Sequence, residues 1–151
     1  MEVENYHSAS EDETNMLGRK FAKRLQAGEI VSLSGEIGAG KTEFVKGICE
    51  QFGVESIVSS PTFTIINQYF GYDEIGEELT IYHVDLYRVA SADDLAEIGF
   101  QECMNAENAL KLVEWPENAG DIMPMADWEV AIGFDGDSDN KRIITVKRIG
   151  N

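Results

Sequence analysis

The run Gly35-Glu36-Ile37-Gly38-Ala39-Gly40-Lys41-Thr42 constrains this chain more than any other stretch. It matches G-x-x-x-x-G-K-[ST] at every fixed position. Such a loop works only between a buried strand and the start of a helix, so it calls for an α/β sheet domain. The flanks agree. Ile30-Val31-Ser32-Leu33-Ser34 reads as the strand leading in, and Lys41 to Phe52 reads as the helix leading out, with Gly53 ending it. Glycines let the backbone curl so that successive N–H groups face one anion, and the helix N-terminus adds its positive dipole end. Gly35, Gly38, Ala39, Gly40, Lys41 and Thr42 therefore form a candidate nucleoside triphosphate site. Lys41 is placed to reach the β- and γ-phosphates, and the Thr42 hydroxyl to ligate Mg²⁺.

The chain has 151 residues, which suits one domain with one core; residues 1–9 are expected to be a flexible leader. No apolar stretch approaches the ~20 residues needed to span a bilayer. The start, Met1-Glu2-Val3-Glu4-Asn5, is acidic and polar, unlike a secretory leader, so a cytoplasmic location is expected. Cys49 and Cys103 have no metal-ligand spacing and read as reduced thiols. His7 and His83 are far apart and form no zinc cluster.

Net charge is −16, and 20 of the 28 acidic residues lie between Glu50 and Asn140, where Arg88 and Lys111 are the only bases. An acidic surface repels nucleic acid, so the chain is poorly suited to gripping RNA by itself. The charge either maintains solubility or meets a partner with a basic face. The other bases cluster in Arg19, Lys20, Lys23 and Arg24, in Lys41 and Lys46, and in Lys141, Arg142, Lys147 and Arg148. The first and last of these groups form one possible partner face.

Ser10-Glu11-Asp12-Glu13 resembles a capping box. Leu17, Phe21 and Leu25 then line one face of a helix that Gly28 stops. Thr62 to Tyr72 and Leu79 to Val84 read as a β-hairpin around Asp73–Glu78, so a mixed, mainly parallel sheet is expected. Ser91 to Ile98 has a Ser cap and a short helical pattern, closed by Gly99. Ala109 to Val113 is an apolar strand ending in Glu114, and Trp128–Phe134 with Arg142–Ile149 forms a last hairpin. The pattern predicts a three-layer P-loop NTPase-type fold.

A phosphate loop needs a carboxylate at the end of a nearby strand, to hold Mg²⁺ or orient water. Asp85 and Glu114 both end apolar strands. Glu114 is assigned to water and Asp85 to Mg²⁺, with the roles exchangeable and either acid a candidate metal ligand. Ser59-Ser60-Pro61-Thr62-Phe63-Thr64 reads as a capped turn or as a switch-like segment sensing the γ-phosphate. By position alone, Trp115 fills core or stacks on a base. Arg88 pairs a neighbouring acid or stabilises phosphate charge.

Five motifs occur in order: the phosphate loop, Ser60-Pro61-Thr62-Phe63, His83-Val84-Asp85-Leu86-Tyr87-Arg88, Glu97-Ile98-Gly99 and Val113-Glu114-Trp115-Pro116-Glu117. Together they resemble the TsaE (YjeE) family of bacterial ATPases, from about the N-terminal helix to Pro116. The resemblance implies an ATPase, slow on its own, that supports formation of threonylcarbamoyladenosine at position 37 of tRNAs reading ANN codons. It implies ATP and Mg²⁺ as cofactors and the proteins TsaD and TsaB as partners, with tRNA met indirectly. It also implies that Lys41, Thr42, Asp85, Glu114 and Trp115 are nucleotide-site residues, Trp115 near the base.

The family often has a second hydroxyl residue right after Thr42, facing the α-phosphate; here Glu43 stands there. A carboxylate beside polyphosphate costs Coulomb energy unless it turns outward or pairs Lys46 at i+3. Two other functions fit a phosphate loop: a small-molecule kinase and a non-hydrolysing, nucleotide-gated binding module. The scarcity of bases between Glu50 and Asn140 disfavours a kinase lid, and the two strand-end acids disfavour a module without hydrolysis.

Overall fold

The computed structural model describes residues 2–36, 38–61, 64–136 and 139–149. A seven-stranded sheet runs in the order β1-β7-β6-β2-β5-β4-β3. Its strands are β1 (Val3–Ser8), β2 (Ile30–Ser34), β3 (Ile66–Tyr72), β4 (Glu78–Asp85), β5 (Ala109–Glu114), β6 (Trp128–Phe134) and β7 (Arg142–Arg148). The β6-β2, β2-β5 and β5-β4 pairings are parallel, while β1-β7, β7-β6 and β4-β3 are antiparallel. The parallel centre is flanked by the two expected hairpins. Every residue of β5 is buried, as a parallel strand covered on both faces requires.

Two cores lie on opposite faces, which makes three layers. On one, helices α1 (Glu11–Ala22) and α2 (Lys41–Gln51) cover Val31, Leu33, Ile81, Leu110 and Leu112. On the other, α3 (Asp93–Ala96) and α4 (Phe100–Asn105) bring Leu95 and Phe100 over Ile30, Val84 and Val113. Neighbouring strand residues thus serve alternate faces. The two large helices touch through their backbones. A Cβ on Gly18 would lie 2.3 Å from the Phe44 carbonyl oxygen, and one on Gly47 would lie 2.1 Å from that of Asn15. Phe21 packs against Phe44 and edge-on against Trp128, at ring-centroid separations of 5.7 and 5.2 Å.

The capping box forms with its second bond shifted to the residue before the N-cap. Ser10 Oγ accepts from the Glu13 N–H at 3.1 Å, and the Glu13 carboxylate accepts from the Ala9 N–H at 2.7 Å. Residues 3–8, expected to lie within a flexible leader, form edge strand β1, which pairs β7 from Val3↔Lys147 to Ser8↔Arg142. Its side chains are mostly exposed, so main-chain pairing holds it and no apolar alternation marks it. Ser8 Oγ also meets Thr14 Oγ1 at 2.7 Å, and Arg24 donates twice to the Glu4 carboxylate.

Other boundaries differ. Helix α1 ends at Ala22, and Leu25 remains buried in the turns beyond it. Strand β3 begins at Ile66, after Ile65 turns the chain with φ of +66°. The expected strand start at Thr62 lies outside the described residues, as does Phe63. Helix α3 lacks a side-chain cap, and Gly99 opens the separate helix α4, which the pattern did not predict.

Candidate active site

Parallel pairing brings the carboxyl ends of β2, β5 and β4 side by side. Leu33 stands opposite Glu114, and Glu114 opposite Asp85. The phosphate loop leaves β2 there and enters α2, whose N-cap, Gly40, has φ of +107°. Gly35 is forced by space as well as conformation: a Cβ would lie 2.3 Å from the Ile132 carbonyl oxygen. Ile37 lies outside the described residues.

A cleft of about 670 Å³ opens over this edge, lined by Gly38, Ala39, Gly40, Lys41, Thr42 and Glu43 from the loop and by Asp85, Glu114 and Trp115 opposite. Gly35 lies behind it, its carbonyl accepting from Lys41 Nζ at 2.7 Å. The loop residues, Asp85, Glu114 and Trp115 are therefore brought together.

Its charges are largely withdrawn from water. Lys41 is 7% exposed and Glu114 4%. Lys41 Nζ lies 3.6 Å from Glu114 Oε1 and 4.8 Å from the centroid of the Trp115 ring. Glu114 Oε2 is held by Nε2 of His83, which is fully buried, at 2.6 Å. Asp85 accepts from the Tyr87 N–H at 3.0 Å. Burial pushes the Asp85 carboxyl up from its ordinary value; that hydrogen bond opposes the shift, and the nearby Glu114 charge adds to it.

The backbone around the two acids is strained. Ile65 and Trp115 are the two non-glycine residues with positive φ among the described residues, at +66° and +57°. Asp85 N–H donates to the Ile65 carbonyl, and Leu86 N–H to that of Glu114. For a β-branched residue such a conformation costs roughly 1–3 kcal/mol, and such residues concentrate at functional sites.

Trp115 packs between Lys41 and Tyr87, the two rings 5.1 Å apart and tilted by 50°. The indole thus lies beside the lysine of the phosphate loop and lines the cleft with it. Glu43 turns toward helix residues, its carboxylate 3.8 Å from Lys46 Nζ and 3.4 Å from Asn15 Nδ2. Ser60 and Arg88 line the cleft. Of the switch-like segment, Thr62 and Phe63 lie outside the described residues.

Sequence reasoning missed two contributors. His83, which forms no zinc cluster with His7, is one. Its position two residues before Asp85, on the same strand face, was the available signal. Arg142 was grouped with surface bases. It donates to the carbonyls of Ala39 at 2.9 Å and Gly38 at 3.3 Å, packs over Phe134 and lines the cleft, so β7 braces the loop. Three of the eight bases of the expected partner face are paired within the fold: Arg19 with Glu50, Arg24 with Glu4 and Arg148 with Glu29.

Among the described residues no group of three or more His, Cys, Asp or Glu forms a ready metal cage. Mg²⁺ does not require one, because it keeps several waters and shares phosphate oxygens with one or two protein ligands. Thr42 and Asp85 are hard oxygen donors of that kind, so the donor set fits. The free cysteines do not bear on the site; burial pushes the Cys49 thiol up to about 12. No helix among the described residues is long and apolar enough to cross a membrane.

Comparison with known proteins identifies the family. The family model described as "Threonylcarbamoyl adenosine biosynthesis protein TsaE" matches residues 8–144. The tRNA threonylcarbamoyladenosine biosynthesis protein TsaE of Treponema pallidum is 37% identical over 139 residues, 92% of this chain and 96% of that protein. The protein of the same name from Bacillus subtilis is 34% identical over 146 residues, covering 97% of this chain and 86% of its own. The crystal structure of Bacillus subtilis YdiB superposes with a TM-score of 0.76 at 29% identity, over 99% of this chain and 88% of that one.

Proposed function

The chain belongs to the TsaE family of tRNA threonylcarbamoyladenosine biosynthesis proteins, and from that premise we propose that it is the ATP-hydrolysing subunit of the modification. It acts on the TsaB–TsaD complex and meets tRNA through that complex. The main support is the convergence of Lys41, Asp85 and Glu114 at the carboxyl ends of three parallel strands, beside a phosphate loop.

The chemistry follows from those positions. Loop N–H groups and Lys41 hold the β- and γ-phosphates and offset their charge. Thr42 and Asp85 would hold Mg²⁺, which when bound neutralises phosphate charge and fixes the geometry of the chain. Glu114, beside Lys41, orients a water and takes its proton as the water oxygen attacks the γ-phosphorus. The bond from that phosphorus to the β–γ bridging oxygen breaks, leaving ADP and inorganic phosphate. Assigning water to Glu114 is supported by its anchored carboxylate, and Mg²⁺ to Asp85 by its place at the more open margin of the cleft.

Reconstitution tests this reading. tRNA, the threonylcarbamoyl donor, TsaB and TsaD are combined with and without this chain and ATP. Repeated rounds of modification are expected only when both are present, with ATP turnover slow for the chain alone and raised by the complex. Modification that is indifferent to the chain contradicts the reading. Transfer of phosphate to a small acceptor would make it a kinase.

A further inference from the structure

We propose that His83 is a dedicated positioning residue for Glu114, an inference that rests on Glu114 serving the water in ATP hydrolysis. The two oxygens of Glu114 have different partners. Oε1 faces Lys41 Nζ at 3.6 Å, and Lys41 also bonds the Gly35 carbonyl and is required by the phosphates. Oε2 meets His83 Nε2 at 2.6 Å, and His83 Nδ1 has no hydrogen-bond partner among the described residues. An ionised carboxylate only accepts, so the hydrogen of this bond sits on Nε2. His83 therefore serves one acceptor and nothing else.

Such an arrangement is costly if it only fills space. His83 is fully buried on β4, with Ile81 and Val84 fully buried beside it in the chain. An apolar side chain of similar volume would leave no ring nitrogen unpaired, and an unpaired buried polar atom costs roughly 1–3 kcal/mol. What the imidazole supplies is a short bond to one oxygen of a carboxylate on a side chain with three rotatable angles. With Oε2 pinned, Oε1 keeps its aim toward the phosphate loop while Lys41 engages phosphate. Catalytic groups misplaced by about 1 Å lose on the order of a hundredfold in rate. Because Nε2 already carries its hydrogen, His83 holds the carboxylate without receiving the water's proton.

The test compares His83→Met, which fills the volume without a donor, with His83→Gln, whose amide N–H reaches the Nε2 position. The intact chain is assayed for Mg²⁺-dependent ATP turnover and, by calorimetry, for ATP affinity. His83→Met is expected to lower kcat at least tenfold, to leave ATP affinity within about threefold, and to melt no lower than the original chain. His83→Gln should recover kcat to within about threefold. Undiminished turnover in the Met variant, equal losses in both variants, or a loss of affinity matching the loss of rate would each overturn the proposal. Should the Met variant fail to fold, His83→Asn takes its place, since its shorter amide falls short of Glu114. Glu114→Ala is run alongside. If it turns over ATP normally, the underlying assignment of Glu114 falls; if it is inactive while His83→Met is not, only the role of His83 falls.

Discussion

Strand β5 buries a charge near each end, and the two are managed differently. Toward the amino end, Lys111 is 1% exposed and its ammonium donates to the carbonyls of Gly28 and Ala106. Three residues later Glu114 is almost as buried, yet it is held by the side chains of His83 and Lys41 at the floor of an open cleft. A buried charge must be paired or hydrogen-bonded in either case. Backbone carbonyls have no second position, so Lys111 closes the bottom of the sheet. A lysine that also belongs to a phosphate loop can exchange partners, which on the proposed function puts Glu114 at the working end. The identity of the partner, more than burial, separates a structural charge from a functional one.

Removing the exchangeable partner should have the largest effect. Lys41→Ala is expected to weaken ATP binding by roughly 100-fold or more in calorimetry, through loss of charge-assisted bonds to phosphate. ATP binding within a few-fold of the original would make Lys41 as structural as Lys111 and erase the contrast. Glu43→Thr sharpens the working end on a smaller scale. It removes a carboxylate next to the phosphate loop and should tighten ATP binding roughly two- to fivefold, the gain being limited because Glu43 already faces Lys46. Equal or weaker affinity counts against that role.

The closed end should be nearly silent in function. Lys111→Met is expected to change ATP affinity and turnover by no more than about twofold, a magnitude typical of a site whose loss is confined to stability. Its signature is pH-dependent instead. Burial pushes the Lys111 ammonium down from the ordinary 10.5. Between that lowered value and 10.5 the unfolded chain binds the proton that the folded chain has lost, so rising pH favours the fold. Across that window the original chain should gain stability relative to Lys111→Met in urea unfolding. A flat difference would show that the ammonium carries no desolvation penalty.

What could be read in advance follows the same division. The phosphate loop is local, so one uninterrupted run specified the strand, the turn and the helix start. Asp85 and Glu114 were recognisable because each ends an apolar strand, although only the β4-β5 register makes them neighbours. The role of His83 is not legible locally, since it depends on Glu114, which lies 31 positions away. Arg142 was harder still, bracing a loop 103 positions earlier through main-chain carbonyls that no side-chain pattern advertises. Strand β1 escaped notice because an edge strand held by ladder bonds needs no apolar face. Gly18 and Gly47 carry no local signal, because their role lies in the backbone contact between α1 and α2.

On the proposed function Glu114 acts on water while the loop binds phosphate, so that binding and hydrolysis separate at one residue. Glu114→Ala tests it most directly, with ATP affinity and phosphate release measured on the same preparation. Affinity within a few-fold of the original and a loss of turnover of about 10²–10⁴ are expected, the range for a removed general base. Phosphate release at the original rate would contradict the claim.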